Sequence, residues 1–452
     1  MAAPSPSPPP NLLSPPHFRP EKAYFFLRTC SNFPQLKQIH AKIIRHDLAN
    51  DQLLARHLIT LSSSFGETRY ASLVFRQLHS PSTFTWNLMI RSLSVNNKPR
   101  EALLLFVLML TIHSQFDKFT FPFVIKACLA DSSPRLGTQV HGLAITTGLF
   151  SDVFLQNTLM DLYFKCGRPD CGRKVFDEMP GRNIVSWTTM LNGLVSNDRL
   201  DDAEIVFGQM PTRNVVSWTA MIAAYVKNRR PDEAFQLFRR MQVDDVEPNE
   251  FTLVSMLQAS TQLGSLSMGR WVHDYAHKNG FLLDCFLGTA LIDMYSKCGS
   301  LEDARRVFDV MESKSLATWN TMITSLGVHG LGDEALSLFG EMEGEEGVEP
   351  DAITFVGVLS ACANTGNVKE GLRYFLRMIY VYGITPIEEH NACMIQLLEK
   401  ALEVNRVSSY VDSMDSDSNI STSFEVESTD RVNERHESWS QHQITFSKWD
   451  AS

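Results

Sequence analysis

Eight cysteines are spread over 452 residues, and nowhere do two of them form a Cys-x-x-Cys. This removes the spacing with which a zinc ribbon or a zinc-dependent deaminase holds its metal. No glycine-rich loop of the phosphate-cradling kind is present either. No cofactor, metal or catalytic site is therefore expected. Long apolar runs are missing too. The longest, residues 102–110, is about half of the ~18 residues a membrane span needs, and it reads as one buried helix. Acidic residues are absent before Glu21, where the chain begins MAAPSPSPPPNLLSPPHFRP with a single arginine. That Pro- and Ser-rich composition is a targeting peptide's, over residues 1–19, and the scarcity of arginine favours plastid over mitochondrion.

What is present is repetition. Residues 215–249 read VVSWTAMIAAYVKNRRPDEAFQLFRRMQVDDVEPN. Trp218, Met221, Ile222 and Tyr225 fall on one helical stripe, and Ala234, Leu237, Phe238 and Met241 fall on a second. Pro231 suits the first turn of that second helix, where its missing N–H is not needed. Two such helices cannot bury their apolar faces alone and need copies on either side. The copies follow a super-period. Trp86 to Trp187, Trp218 to Trp319, Phe75 to Phe176 and Phe207 to Phe308 are each 101 positions. The period divides into a tryptophan unit, a long unit and a short unit, as in 215–249, 250–284 and 285–315, and again in 83–117, 118–152 and 153–183.

The remaining units are 20–51, 52–82, 184–214, 316–351 and 352–387. The unit 316–351 carries one inserted residue, placed in its Gly-Glu-Glu-Gly stretch. A degenerate unit begins at 388–400 with a poorly formed second helix. Residues 401–452 hold ten acidic and four basic side chains. They read as an acidic disordered tail. That tail carries most of the net charge of −10, so the array itself is nearly neutral. Cysteines share repeat positions: Cys30, Cys128 and Cys362 at one, Cys166 and Cys298 at another. They read as small core residues.

Three stretches make the likeness specific: VVSWTAMIAAYVKNRRPDEAFQLFRRM, FTFPFVIKACLADSSPRLGTQVHGLAITTGLFSD and FLGTALIDMYSKCGSLEDARRVFDVM. The chain resembles the plant organellar pentatricopeptide repeat proteins, of the subclass alternating standard, long and short motifs, over residues 20–400. The resemblance implies an all-α, right-handed superhelical solenoid of helix-turn-helix repeats that binds single-stranded organellar RNA. It further implies transcript maturation, first of all recognition of a C-to-U editing site. The array stops short of the family's connecting motifs, so a deaminase would be supplied in trans. RNA stability, splicing or translation is the alternative, and a peptide-binding scaffold is the competing class. The expected compartment is the chloroplast, with the mitochondrion second.

Two positions of each unit are restricted in type. The fifth, on a face that the core stripe leaves free, is Asn87, Asn157, Thr188, Thr219, Thr289 or Asn320. In long units it becomes Pro122, Val254 or Val356. The last is Asp117, Asp152, Asn183, Asn214, Asn249, Asp284, Ser315 or Asp351. Such residues before a helix also satisfy N-capping. The resemblance implies that fifth and last positions together read one base per repeat. On that basis Asn87/Asp117 and Asn320/Asp351 read U. Asn157/Asn183 reads a pyrimidine, Thr188/Asn214 and Thr219/Asn249 read A, and Thr289/Ser315 reads a purine weakly. Phe84, Phe154, Val185, Val216 and Phe286, at the second position, would sandwich bases or pack between repeats. Lys165, Lys227 and Lys297 would meet phosphates or complement a helix end. His40, His141 and His273 share one long-unit position and read as packing residues.

Overall fold

A computed structural model of the chain describes residues 18–112, 115–345 and 347–416, with side chains as far as Leu402. The targeting segment lies outside the described residues apart from Phe18 and Arg19, and the acidic tail lies outside them beyond residue 416. Among the described residues there are 23 α-helices and no strand. They fall into two compact groups divided after Ser313, each a stack of helix pairs.

The unit boundaries appear as helix starts. First helices are Pro20–Arg28, Gln52–Ser64, Thr83–Val95, Thr120–Ala130, Val153–Lys165, Ile184–Ser196, Val215–Lys227, Glu250–Gln262 and Cys285–Lys297 in the first group. Leu316–Val328, Ala352–Thr365 and Glu388–Ser416 follow in the second. All but one begin on the first residue of their unit. The exception, Thr120–Ala130, starts two residues late because Pro122 has no N–H and must sit in the first turn. Pro99, Pro134, Pro169 and Pro231 open second helices for the same reason.

The units are joined by their apolar stripes. Trp218 is wholly buried and stands edge-on to Phe207 of the preceding second helix, ring centroids 4.9 Å apart. Phe176–Trp187 and Phe75–Trp86 repeat the arrangement at 4.9 and 4.7 Å. Arg182 and Arg213 close two of these joints. Each lies over the phenylalanine ring and donates to that residue's carbonyl. In the long units Phe121, Leu253 and Phe355 hold the tryptophan position, fully buried.

Three expectations change. Residues 102–110 are buried on one face only: Ala102, Leu103, Phe106 and Met109 face inward, while Leu104, Val107 and Leu108 are exposed. A second helix packs on its own first helix and the next, which leaves its outer side to solvent. The last first helix does not end near Lys400 but runs on to Ser416, so residues 401–416 are helical where an irregular tail was expected. No glycine or proline interrupts 388–416, so nothing in that stretch stops the helix. The second helix of the degenerate unit, expected to form poorly, is accordingly not formed at all over 388–416.

Candidate functional site

Every last-position residue accepts backbone N–H groups at the start of the helix that follows. Asn183, Asn214, Asn249, Ser315 and Asp351 form complete capping boxes with a hydroxyl three residues on, at Ser186, Ser217, Thr252, Thr318 and Thr354. Asp117 accepts from the Phe119 and Thr120 N–H groups, at 2.9 and 3.0 Å, and from the Thr120 hydroxyl. Asp152 and Asp284, which close long units, bond two backbone N–H groups each, and Leu155 and Leu287 stand where the hydroxyl would be.

The fifth position is not on a free face. Asn87, Asn157, Thr188 and Asn320 are all less than a tenth exposed, and Thr219 and Thr289 are half-buried. The next unit's first helix packs alongside Asn87, Asn157, Thr188, Thr219 and Asn320 and covers them. What the two positions form is therefore a seam between successive first helices. Asn87 Nδ2 donates to Asp117 Oδ1 at 2.8 Å, and Asn320 Nδ2 to Asp351 Oδ1 at 3.2 Å. Thr219 Oγ1 lies 3.4 Å from Asn249 Oδ1 and 2.7 Å from the Thr252 hydroxyl beside it. Among the described residues no hydrogen bond joins Asn157 to Asn183 or Thr188 to Asn214. Thr188 bonds the Ile184 and Val185 carbonyls, and Thr289 the Cys285 carbonyl. Asn157 Oδ1 and Asn87 Oδ1 are buried without a partner.

Capping decides which atom each seam has left to offer. Asn249 Oδ1 is taken by the Thr252 N–H and hydroxyl, both at 2.9 Å, so the amide's Nδ2 donors remain. Asp351 Oδ1 is taken by the Thr354 N–H at 2.8 Å and by Asn320, so Oδ2 remains as an acceptor. Asp117 is held the same way. An Asn seam thus presents a donor and an Asp seam an acceptor.

Beside the seams, second-position side chains stand exposed. Phe84, Phe154, Val185, Val216 and Phe286 are 43–57% exposed. Leu53, Phe119 and Phe251 in the first group and Ile353 in the second are exposed at the same position, which counting in register from the unit starts reaches. The Phe251 and Phe286 rings lie 5.0 Å apart. Register also reaches a seam that was overlooked. Arg56, fifth in 52–82, donates from Nη2 to the Ser82 hydroxyl at 3.0 Å.

The lysines are paired with carboxylates: Lys165 with Asp161, Lys297 with Asp293, and Lys227 with Asp198. The histidines pack. His141 Nδ1 lies 2.7 Å from the Tyr163 hydroxyl, His273 Nδ1 is 2.8 Å from Tyr295, and His40 Nδ1 is 2.6 Å from Tyr70. Burial pushes all three imidazoles below their ordinary value and the Tyr295 phenol up to about 12. Cys128 and Cys362 are buried, which drives their thiols up to about 11, whereas Cys30, Cys166 and Cys298 are half-buried. No described helix is long and apolar enough to cross a membrane.

The fold is thus an all-α repeat solenoid of stacked helix pairs with a row of polar seams. Models of the PPR repeat match residues 84–112, 157–184, 185–215, 289–316 and 353–380, and a PPR repeat family model matches 213–261 and 314–364. The chain is 81% identical over its whole length to the chloroplastic pentatricopeptide repeat-containing protein At3g26630 of Arabidopsis thaliana, spanning 99% of that protein. It is 40% identical to At4g18840 of the same plant, covering 87% of this chain and 78% of that one. Maize pentatricopeptide repeat protein PPR10, solved in complex with an 18-nucleotide psaJ RNA element, superposes with a TM-score of 0.52 at 18% identity, over 81% of this chain and 62% of that one. The chain belongs to the pentatricopeptide repeat family, and it is a chloroplast protein.

Proposed function

We propose that the chain binds single-stranded chloroplast RNA and reads one base at each polar seam. The observation that carries this is the split between seams: a capped Asn keeps only donors free, a capped Asp only an acceptor. Donors suit a ring nitrogen of adenine or cytosine, and an acceptor suits the N3–H of uracil. Exposed second-position side chains flank each seam and offer stacking faces. From residue 83 to 351 the expected RNA, 5′ to 3′, is U, any base, pyrimidine, A, A, any base, purine, U. Lys165, Lys227 and Lys297, at the ends of first helices, are already paired with carboxylates, so binding rests on stacking and hydrogen bonds and its salt slope is modest. PPR10, of the same fold, is solved in complex with an 18-nucleotide RNA element, which supports this reading.

Within that reading, the role is recognition of a site for C-to-U editing, with the deaminase supplied in trans. Deamination needs a metal-bound water held by cysteines, and the sequence has no Cys-x-x-Cys to hold it. The test is a double exchange, Thr219→Asn with Asn249→Asp, measured by binding to RNAs that differ at one base. Preference at that base should move from A to U while the ranking at other bases holds. An unchanged ranking would reject the seam as the reader.

A further inference from the structure

Neither reading position explains the third residue of each unit. It is Thr85, Thr120, Ser186, Ser217, Thr252 and Thr354 at seams between polar fifth and last positions, each wholly buried. Where a long unit of the first group closes on Asp51, Asp152 or Asp284, it is Leu54, Leu155 or Leu287. The hydroxyl does more than complete a cap. Thr252 Oγ1 takes the Asn249 N–H at 3.2 Å and donates to Asn249 Oδ1 at 2.9 Å. It also lies 2.7 Å from Thr219 Oγ1, across the seam. The proton order follows. Thr219 donates to Thr252, and Thr252 donates to Asn249. At the Asp351 seam, Thr354 Oγ1 lies 2.8 Å from Asn320 Oδ1 and 2.9 Å from Asp351 Oδ1.

We propose that Thr252 is a positioning residue for base discrimination: its buried hydroxyl locks the Asn249 amide with Oδ1 inward and Nδ2 outward. The proposal rests on the base-reading function above. An amide has two different ends, so a half-turn about its last bond exchanges donor for acceptor. The backbone N–H of residue 252 alone is one bond against that rotation, and the hydroxyl adds a second that only an oxygen can accept. A carboxylate has two like oxygens, and the same half-turn changes nothing. The lock therefore matters at an Asn seam and is dispensable at an Asp seam, although both carry the same hydroxyl. Thr252 is wholly buried and touches no base itself.

The experiment compares Thr252→Val, Thr252→Ser and Thr354→Val in the full chain, using RNAs varied only at the base facing Thr219/Asn249 or only at the base facing Asn320/Asp351. Losing one such hydrogen bond should cut the A preference at the first base about three- to tenfold in Thr252→Val. Thr252→Ser should restore it. Thr354→Val should keep the U preference at the second base within about twofold. A cap lost for purely structural reasons would weaken both seams alike and lower affinity for every RNA, and that result overturns the lock. Retention of full A preference by Thr252→Val overturns it as well. Absence of any preference in the unsubstituted chain would instead defeat the base-reading function, and the lock with it.

Discussion

The seam of Thr219 and Asn249 and the seam of Val254 and Asp284 lie one unit apart on the same helical template, yet they are finished differently. Both close on an acidic or amide N-cap, so capping alone accounts for the residue type at the last position of either. The first adds a hydroxyl at Thr219 and another at Thr252, wired together at 2.7 Å. The second has a half-buried Val254 and a buried Leu287 at those two places. A cap is common to both seams and cannot distinguish them. On the base-reading function proposed above, selectivity comes from a polar group at the fifth position, joined by one at the third where the cap is an amide.

Behind the long seams lies a compensating feature. His141 meets Tyr163 and His273 meets Tyr295 across the junction from a long unit to the short unit after it. Among the described residues no such histidine–tyrosine pair stands at a polar seam. These two long units thus place a hydrogen bond to the next unit on the second helix, where it fixes packing rather than facing the seam.

The largest expected effect strikes what the two kinds of seam share. Trp218→Ala removes the buried ring at the joint with Phe207 and should cost ~3–5 kcal/mol. Leu253→Ala, at the same position of the long unit, should cost ~2–5 kcal/mol. Denaturant titration of both variants measures this. A loss under 1 kcal/mol at Trp218 would mean that the joint is not what couples the units.

A smaller effect sharpens the contrast. Val254→Asn places an amide beside Asp284, whose Oδ1 is already held by the Phe286 and Leu287 N–H groups at 3.1 and 2.9 Å. The seam then copies Asn87/Asp117. Stability should change by about 1 kcal/mol. A base that was tolerated in any form should gain a U preference of about three- to tenfold. Competition binding with four RNAs reads it, and four equal affinities would break the distinction between the seams.

The smallest effect is on pH. Burial lowers the imidazoles of His141 and His273 in the folded chain, outweighing the carboxylates of Glu178 near one and of Asp274 and Asp303 near the other. The unfolded chain therefore takes up protons first as pH falls. The stability these groups contribute is fully present above the ordinary histidine value of about 6.5 and is lost as pH drops below it toward the folded value. Replacing both by Phe, which the last long unit carries as Phe375, should flatten melting temperature against pH in that window. A double variant as acid-sensitive as the parent would place the sensitivity elsewhere, with His40 and His57 next, since burial lowers both.

Register was the most legible property. Trp86, Trp187, Trp218 and Trp319 give the period, and helices begin where counting from them says units begin. Pro122 marks the one late start. The site was half legible. Asp117, Asn249 and Asp351 stood out by type, and the structure brings each to its fifth-position partner. The burial of Asn87 and Asn320 was not legible, because a helical wheel shows which side its own core occupies and not which side a neighbour will cover. The outer face at Leu104, Val107 and Leu108 was misread for the matching reason: an apolar run tells how much could be buried, not how much surface a neighbour supplies. At Lys400 the composition shift toward acid was read as an end of structure, although charge does not stop a helix that contains no glycine or proline.

Sequence by itself determined the unit, its period, the order of unit types and the residue types at the seams, because each of these follows from spacing along one chain. Only the tertiary structure decided which atom of Asn249 or Asp351 is left for a ligand. That choice depends on hydrogen bonds from Thr252, Thr219, Thr354 and Asn320, two on the capped helix and two on the helix before it. The bonds from Thr252 and Thr354 are local caps, but those from Thr219 and Asn320 form only when two helices have packed, so no pattern within one helix carries the whole choice.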